Sequence, residues 1–282
     1  MISADLAIDS YLASKRASHH KLRTFAELGP RGYFMAIEQH KWSQEDTKAF
    51  LEGRATEDAL QRPAEYAAKY ITKPAGMNFS TKEGKAWRAE KQTLGLNIVE
   101  GETARAIESL VQTIDVCPVA QSLIQSANMQ VTVCHDDVSD RWNVPGIQCR
   151  PDWLGLDGSA ATEWAPYALD LKKTDHLYRL SSGRSIIKYG YNRQAAMVRM
   201  CLEREGVDIS GFRYLLLGAE TSFPYRWQVV EIPTLLIDKG QVWCERQLDR
   251  LSEHYTVGEW PLVSAQITVA DIPAWLDDSE AA

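Results

Sequence analysis

The stretch that decides the fold is GIQCRPDWLGLDGSAATEWAPYALDLKKT, residues 146–174. Two runs of strand character, 141–154 and 167–172, flank the turn-rich LDGSA, so they are expected to pair as a hairpin. Successive side chains of a strand alternate between its faces. Tyr167, Leu169 and Leu171 therefore share one face, and Asp170 and Lys172 the other. On the first strand Arg150 and Asp152 are expected to point to one face. Such a hairpin brings Asp152, Asp170 and Lys172 together at one end of a sheet and leaves the apolar set in the core.

Two carboxylates can hold hard divalent cations through oxygen. Bound there, such ions would contact a phosphodiester and activate water. A neighbouring ammonium can stabilise charge developing on the phosphate. The backbone carbonyl of Leu171, between the acid and the lysine, is a candidate extra ligand.

Outward from this segment, the upstream half reads as helical. Ser43 is expected to cap a helix running to Gln61, along which Phe50, Gly53, Glu57 and Leu60 share a face. That places one carboxylate inside an otherwise apolar or small-residue stripe. Further helices are expected over 100–115 and 118–126, and MQVTVC (129–134) alternates like a strand. Downstream, 185–205 reads as one long helix closed by Gly206. Strands follow at 212–220 and 227–232, and a helix at 233–252. The economical organisation is a single α/β domain over 1–282: a helical N-terminal part to about 127, a sheet core over about 128–252, and an acidic tail over about 265–282.

The chain has 282 residues, 45% hydrophobic and 24% charged, enough to bury a core. No apolar run approaches the roughly 20 residues that span a bilayer. Asp5 and Asp9 interrupt the stretch a secretion signal would need, and the five cysteines lack CxxC spacing. A cytoplasmic protein with no membrane association is the expectation. The formal charge of −7 by itself counts against nucleic acid. Yet residues 172–199 hold seven basic side chains and only one acidic, a local +6 that leaves −13 elsewhere. The plain reading is a solvated helix face; the alternative is a phosphate-binding surface.

In order along the chain, GRATED, CRPDWL, ALDLKKT, YGYNRQAA and LLLGAETSFP resemble the motifs of the PD-(D/E)XK nuclease superfamily, within it the RecE-type exonucleases (exodeoxyribonuclease VIII) and, more distantly, the lambda-type phage exonucleases. The resemblance covers about residues 17 to 240 and begins at SHHKLRTFAELGPRGYF. It implies a restriction-endonuclease-like core, a central mixed β-sheet flanked by helices. It makes Asp152 and Asp170 metal ligands and Lys172 the catalytic lysine, with Glu57, where the RecE-type motif usually has histidine, a third ligand. Gln194 resembles the family glutamine that contacts the substrate end. Around it Arg150, Lys173, Lys188, Tyr191 and Arg193 are expected to contact DNA. Val198 stands where the family has tyrosine, and Tyr189 or Tyr191 would have to compensate.

The activity so implied is a Mg2+-dependent 5'→3' exodeoxyribonuclease, with two ions and Mn2+ able to substitute. It would act on ends of linear double-stranded DNA and leave 3' single-stranded tails for phage-type recombination by annealing. A homo-oligomeric ring, trimer or tetramer, is the expected assembly. The acidic tail reads first as a solvated segment; the alternative is a docking peptide for a single-strand annealing or single-strand-binding protein. The alternatives are another PD-(D/E)XK endonuclease and a decayed DNA-end-binding protein. Elsewhere, His135-Asp136-Asp137 reads as a polar turn, and His19-His20 as solvent-facing or a DNA-end contact. Glu220 is at least as readily a hydrogen-bonding residue as a catalytic one.

Overall fold

A computed structural model describes residues 1–40, 48–157 and 166–262. The proposed cap Ser43 and the acidic tail at 265–282 lie outside the described residues. In chain order the first elements are β1 (Ile2–Ser3), α1 (Ile8–Ala13), α2 (His19–Tyr33), α3 (Lys48–Gln61) and α4 (Pro63–Lys69). Next come β2 (Tyr70–Thr72), α5 (Lys82–Thr93), β3 (Asn97–Val99), α6 (Gly101–Ile114) and α7 (Pro118–Gln125). The N-terminal part is thus helical with three short strands.

The next stretch supplies β4 (Asn128–Met129), β5 (Thr132–His135), β6 (Ile147–Cys149), β7 (Trp153–Gly155) and β8 (Tyr167–Thr174). After it run α8 (Leu177–Ser181), α9 (Arg184–Tyr189), α10 (Tyr191–Arg204), β9 (Arg213–Glu220), β10 (Trp227–Glu231) and α11 (Thr234–Val257).

The principal sheet has the order β10-β9-β8-β7-β4. It is mixed: β8 runs parallel to β9, and the other neighbours are antiparallel. Parallel neighbours need a crossover, and α8, α9 and α10 supply it. The expected hairpin forms, with Trp153 opposite Leu169 and Gly155 opposite Tyr167.

Both faces of this sheet are covered. On one, Trp153, Tyr167, Leu169, Leu171, Leu215 and Leu217 pack against Leu110 and Ile114 of α6 and Leu123 of α7. On the other, Leu154, Ala168, Tyr214 and Leu216 join a larger core with residues of α2, α10 and α11. Helices α10 and α11 approach closely at Gly240, where a Cβ would stand 2.2 Å from the Asn192 carbonyl oxygen.

Four expected elements differ from those observed. MQVTVC is not one strand: Gln130 adopts φ 52°, and β4 and β5 belong to different sheets. The run 141–154 is likewise split into β6 and β7, in different sheets, around Arg150-Pro151-Asp152. Arg150 and Asp152 therefore do not share a strand face. The helix over 185–205 is interrupted at Gly190, in the left-handed region with φ 71°. On α3 the buried positions are Ala55, Thr56, Asp58 and Ala59, whereas Phe50 is exposed, so the inward stripe is shifted from the expected one.

Candidate active site

The site lies at one end of the β7–β8 hairpin. Asp152 immediately precedes β7, and its backbone N–H donates to Asp170 Oδ1 at 3.0 Å. The Leu171 N–H donates to Asp152 Oδ2 at 2.8 Å. The Leu171 amide thus ties the strand to Asp152. Asp170 is fully buried. Its Oδ2 accepts from the Tyr214 hydroxyl, carried by the parallel neighbour β9, and stands 3.6 Å from Lys172 Nζ. Lys172 in turn lies 5.0 Å from the centre of the Tyr191 ring, at the start of α10. The expected convergence of Asp152, Asp170 and Lys172 is therefore present.

Glu57 reaches the same place from α3, which packs against β8 and α6. The link is Gln130: its side-chain amide nitrogen lies 3.1 Å from Glu57 Oε2 and 3.4 Å from Asp152 Oδ1. Its carbonyl oxygen accepts from Arg150 Nε at 3.2 Å. The Gln130 backbone N–H also donates to the Asp152 carbonyl at 2.8 Å. Gln130 carries no signal in the sequence, because the apolar alternation of MQVTVC continues across it. Tyr214 is hidden in the same way, inside the apolar run of β9.

Burial, followed by the crowding of like charges, sets the electrostatics. Burial, then Asp170, pushes the Glu57 carboxyl up to about 7. Burial, reinforced by Asp170 and Glu57, raises Asp152 well above the carboxylate range. Burial by itself would lower the Lys172 ammonium, but Asp170 and Asp152 more than offset it, so its pKa is raised and it stays protonated. Three acidic groups against one ammonium are a donor set that a hard cation would neutralise through oxygen. Among the described residues no three acidic, histidine or cysteine side chains already stand at ligating separation. The carboxylates would have to close on an ion, with Glu57 and Asp152 exchanging the amide they now share. Within that limit the residues fit a divalent cation.

The residues expected on DNA divide into two groups. Arg150 is a brace: its guanidinium also donates to the Leu6 carbonyl at 2.8 Å and to Thr132 Oγ1 at 3.2 Å. Lys173 is paired with Glu52 of α3, which accepts from Thr103 of α6, so it ties β8 to two helices. Gln194 is half-buried and lines a cavity with Tyr11, Ser18, His19 and Arg150. Arg193 stacks over Trp243 at 4.3 Å, and Lys188 is exposed beside the Tyr189 ring at 5.1 Å.

The +6 stretch is accordingly not a continuous basic surface. Lys172, Lys173, Arg179 and Arg199 each meet a carboxylate. Among the described residues, Arg184, Lys188 and Arg193 have no such partner. His19 is also not solvent-facing: its Nε2 is shielded without a hydrogen-bond partner. Burial, then the neighbouring His20, Lys172 and Arg193, push the imidazole down to about 3. Glu220 accepts from Arg226 and from the Leu177 N–H, a bracing role. Val198 is buried in the core on α10.

The same architecture occurs in a crystal structure from Eubacterium rectale described as a "Putative exonuclease". The likeness is one of fold. It covers 98% of each chain with a TM-score of 0.59, at 11% sequence identity. No family model matches the chain, and no curated protein does. Among the described residues no helix is long and apolar enough to cross a membrane.

Proposed function

We propose that the protein is a metal-dependent exodeoxyribonuclease with a PD-(D/E)XK site, of the RecE type. The observation that carries this reading is the meeting of Asp152, Asp170 and Lys172 at one end of the hairpin, with Glu57 joined through Gln130. The fold shared with the Eubacterium rectale protein described as a "Putative exonuclease" supports it.

Asp152, Asp170 and Glu57 would hold Mg2+, or Mn2+ in its place, as a pair of ions in the manner the resemblance implies. When bound, such ions supply a Lewis acid for the phosphodiester and an activated water. The residues do the rest. The Asp152 N–H and the Tyr214 hydroxyl fix the orientation of Asp170, leaving little reorganisation for the reaction itself. Lys172, held protonated between Asp170 and the Tyr191 ring, presents its ammonium to charge developing on the phosphate. Gln194 and the exposed Lys188 would meet the DNA end, and Arg193 would hold α10 against α11 beside it.

The substrate proposed is linear duplex DNA, its 5'-ended strand degraded 5'→3' to leave a 3' tail for annealing. A trimeric or tetrameric ring would give processivity by encirclement and would let few basic groups per subunit suffice. An annealing or single-strand-binding protein is the proposed partner, and the cytoplasm the proposed location. The test is digestion of a strand-labelled linear duplex and of covalently closed plasmid, with Mg2+ and with chelator. Mg2+-dependent loss of the 5'-ended strand, with the plasmid intact, is expected. Cutting of the closed circle would make the enzyme an endonuclease, and loss of the 3'-ended strand would reverse the direction.

A further inference from the structure

We infer that Gln130 is a positioning residue that occupies the cation-facing side of the Glu57–Asp152 pair, so that a divalent ion binds there in competition with the Gln130 amide. The inference rests on the metal-dependent reading of the site. Its observation is the geometry of one side chain. The amide nitrogen is within 3.1 Å of Glu57 Oε2 and 3.4 Å of Asp152 Oδ1, bridging carboxylates that come from α3 and from the start of β7. An amide nitrogen has two hydrogens, and this arrangement directs one to each acid.

The amide has a defined orientation. Arg150 has only donors, and its Nε lies 3.2 Å from Gln130 Oε1, so the oxygen must face the guanidinium and the nitrogen the acids. Arg150 is itself held by the Leu6 carbonyl and Thr132 Oγ1. The backbone fixes the other end: Gln130 adopts φ 52° where the chain leaves β4 for β5, and its N–H is bonded to the Asp152 carbonyl. A side chain so anchored from both ends is placed rather than incidental.

The consequence is a competition. Each hydrogen bond from the amide stabilises the cation-free arrangement of the two acids. An ion seated between Glu57 Oε2 and Asp152 Oδ1, where the amide nitrogen now lies, must displace both hydrogen bonds. Gln130 therefore holds the two acids in register and weakens the affinity of that subsite, which favours exchange of the ion over permanent retention.

The test compares wild type, Gln130→Ala and Gln130→Asn, whose shorter amide cannot span the pair. Calorimetry measures binding of Ca2+ and Mg2+ in the absence of DNA, and thermal melts are run in chelator and in excess cation. Removing the bridge should tighten cation binding about tenfold. It should also lower Tm by about 2–4 °C in chelator but not in excess cation. Equal losses of Tm in both conditions, or unchanged or weaker cation binding in a wild type that does bind, would overturn the inference alone. A folded wild type that binds neither cation would overturn the inference together with the reading it rests on. Gln130→Asn keeps the measurement decisive if the alanine variant does not fold.

Discussion

On one face of β8, Tyr167, Leu169 and Leu171 pack with Leu110, Ile114 and Leu123 into an apolar layer. On the other, Ala168 joins the second core, and Asp170 and Lys172 follow under Tyr214 and Tyr191. Neighbouring residues of one strand thus face apolar packing on one side and a charged network on the other. The apolar face is tolerant of its partners provided volume is filled. The polar face has no such latitude, because a buried charge such as Asp170 is costly unless every lone pair finds a donor. The charged end of the strand lies above that apolar layer.

Four substitutions test that division. Lys172→Met, on the polar face, should lower the rate of DNA hydrolysis per folded molecule by about 10²–10³-fold, measured at saturating DNA and Mg2+. Leu169→Ala, on the apolar face, should do the reverse. It should lower unfolding free energy by about 2–5 kcal/mol in urea melts, with activity per folded molecule retained. Hydrolysis at the wild-type rate by folded Lys172→Met, or a rate loss in folded Leu169→Ala as large as that of Lys172→Met, would erase the distinction.

The third test is acid stability on the polar side. Because the His19 pKa is depressed to about 3, the unfolded chain binds more protons than the folded one between about 3 and the ordinary value of 6.5. This contribution to stability is full above that window and is lost as pH falls through it, by at most about 1.4 kcal/mol per pH unit. His19→Gln should flatten the difference between urea melts at neutral and mildly acidic pH; an unchanged slope would remove His19 as its cause. The smallest effect is expected from Tyr214→Phe, which deletes one donor to Asp170. A cost of about 1 kcal/mol in stability or in the activation barrier should be seen, and a loss as large as that of Lys172→Met would make the hydroxyl part of the chemistry.

The same contrast explains which features are legible in the amino-acid sequence. The β7–β8 hairpin is legible because β8 alternates between apolar and charged residues, and a period of two has one meaning. Strands β9 and β10 and the helices α6, α7 and α11 are legible for similar reasons of run length and periodicity. Gln130 is not, because a single residue with φ 52° divides a strand without disturbing its alternation. Gly190 divides α9 from α10 in the same way, and a glycine inside a helical pattern is ambiguous in sequence. The +6 charge run misleads in another respect: a sum along the chain ignores the carboxylates of Glu52 and Asp238, which come from other elements. Pairings between distant residues such as Tyr214 and Asp170 leave no local signal.

The most direct test of the central claim is the Mg2+-dependent hydrolysis of end-labelled linear duplex DNA by wild type and by Asp152→Ala, with folding of both verified by their melts. The account predicts hydrolysis by wild type only when Mg2+ is present, and loss of essentially all of it in Asp152→Ala. Cleavage in chelator, or undiminished cleavage by a folded Asp152→Ala, would contradict it.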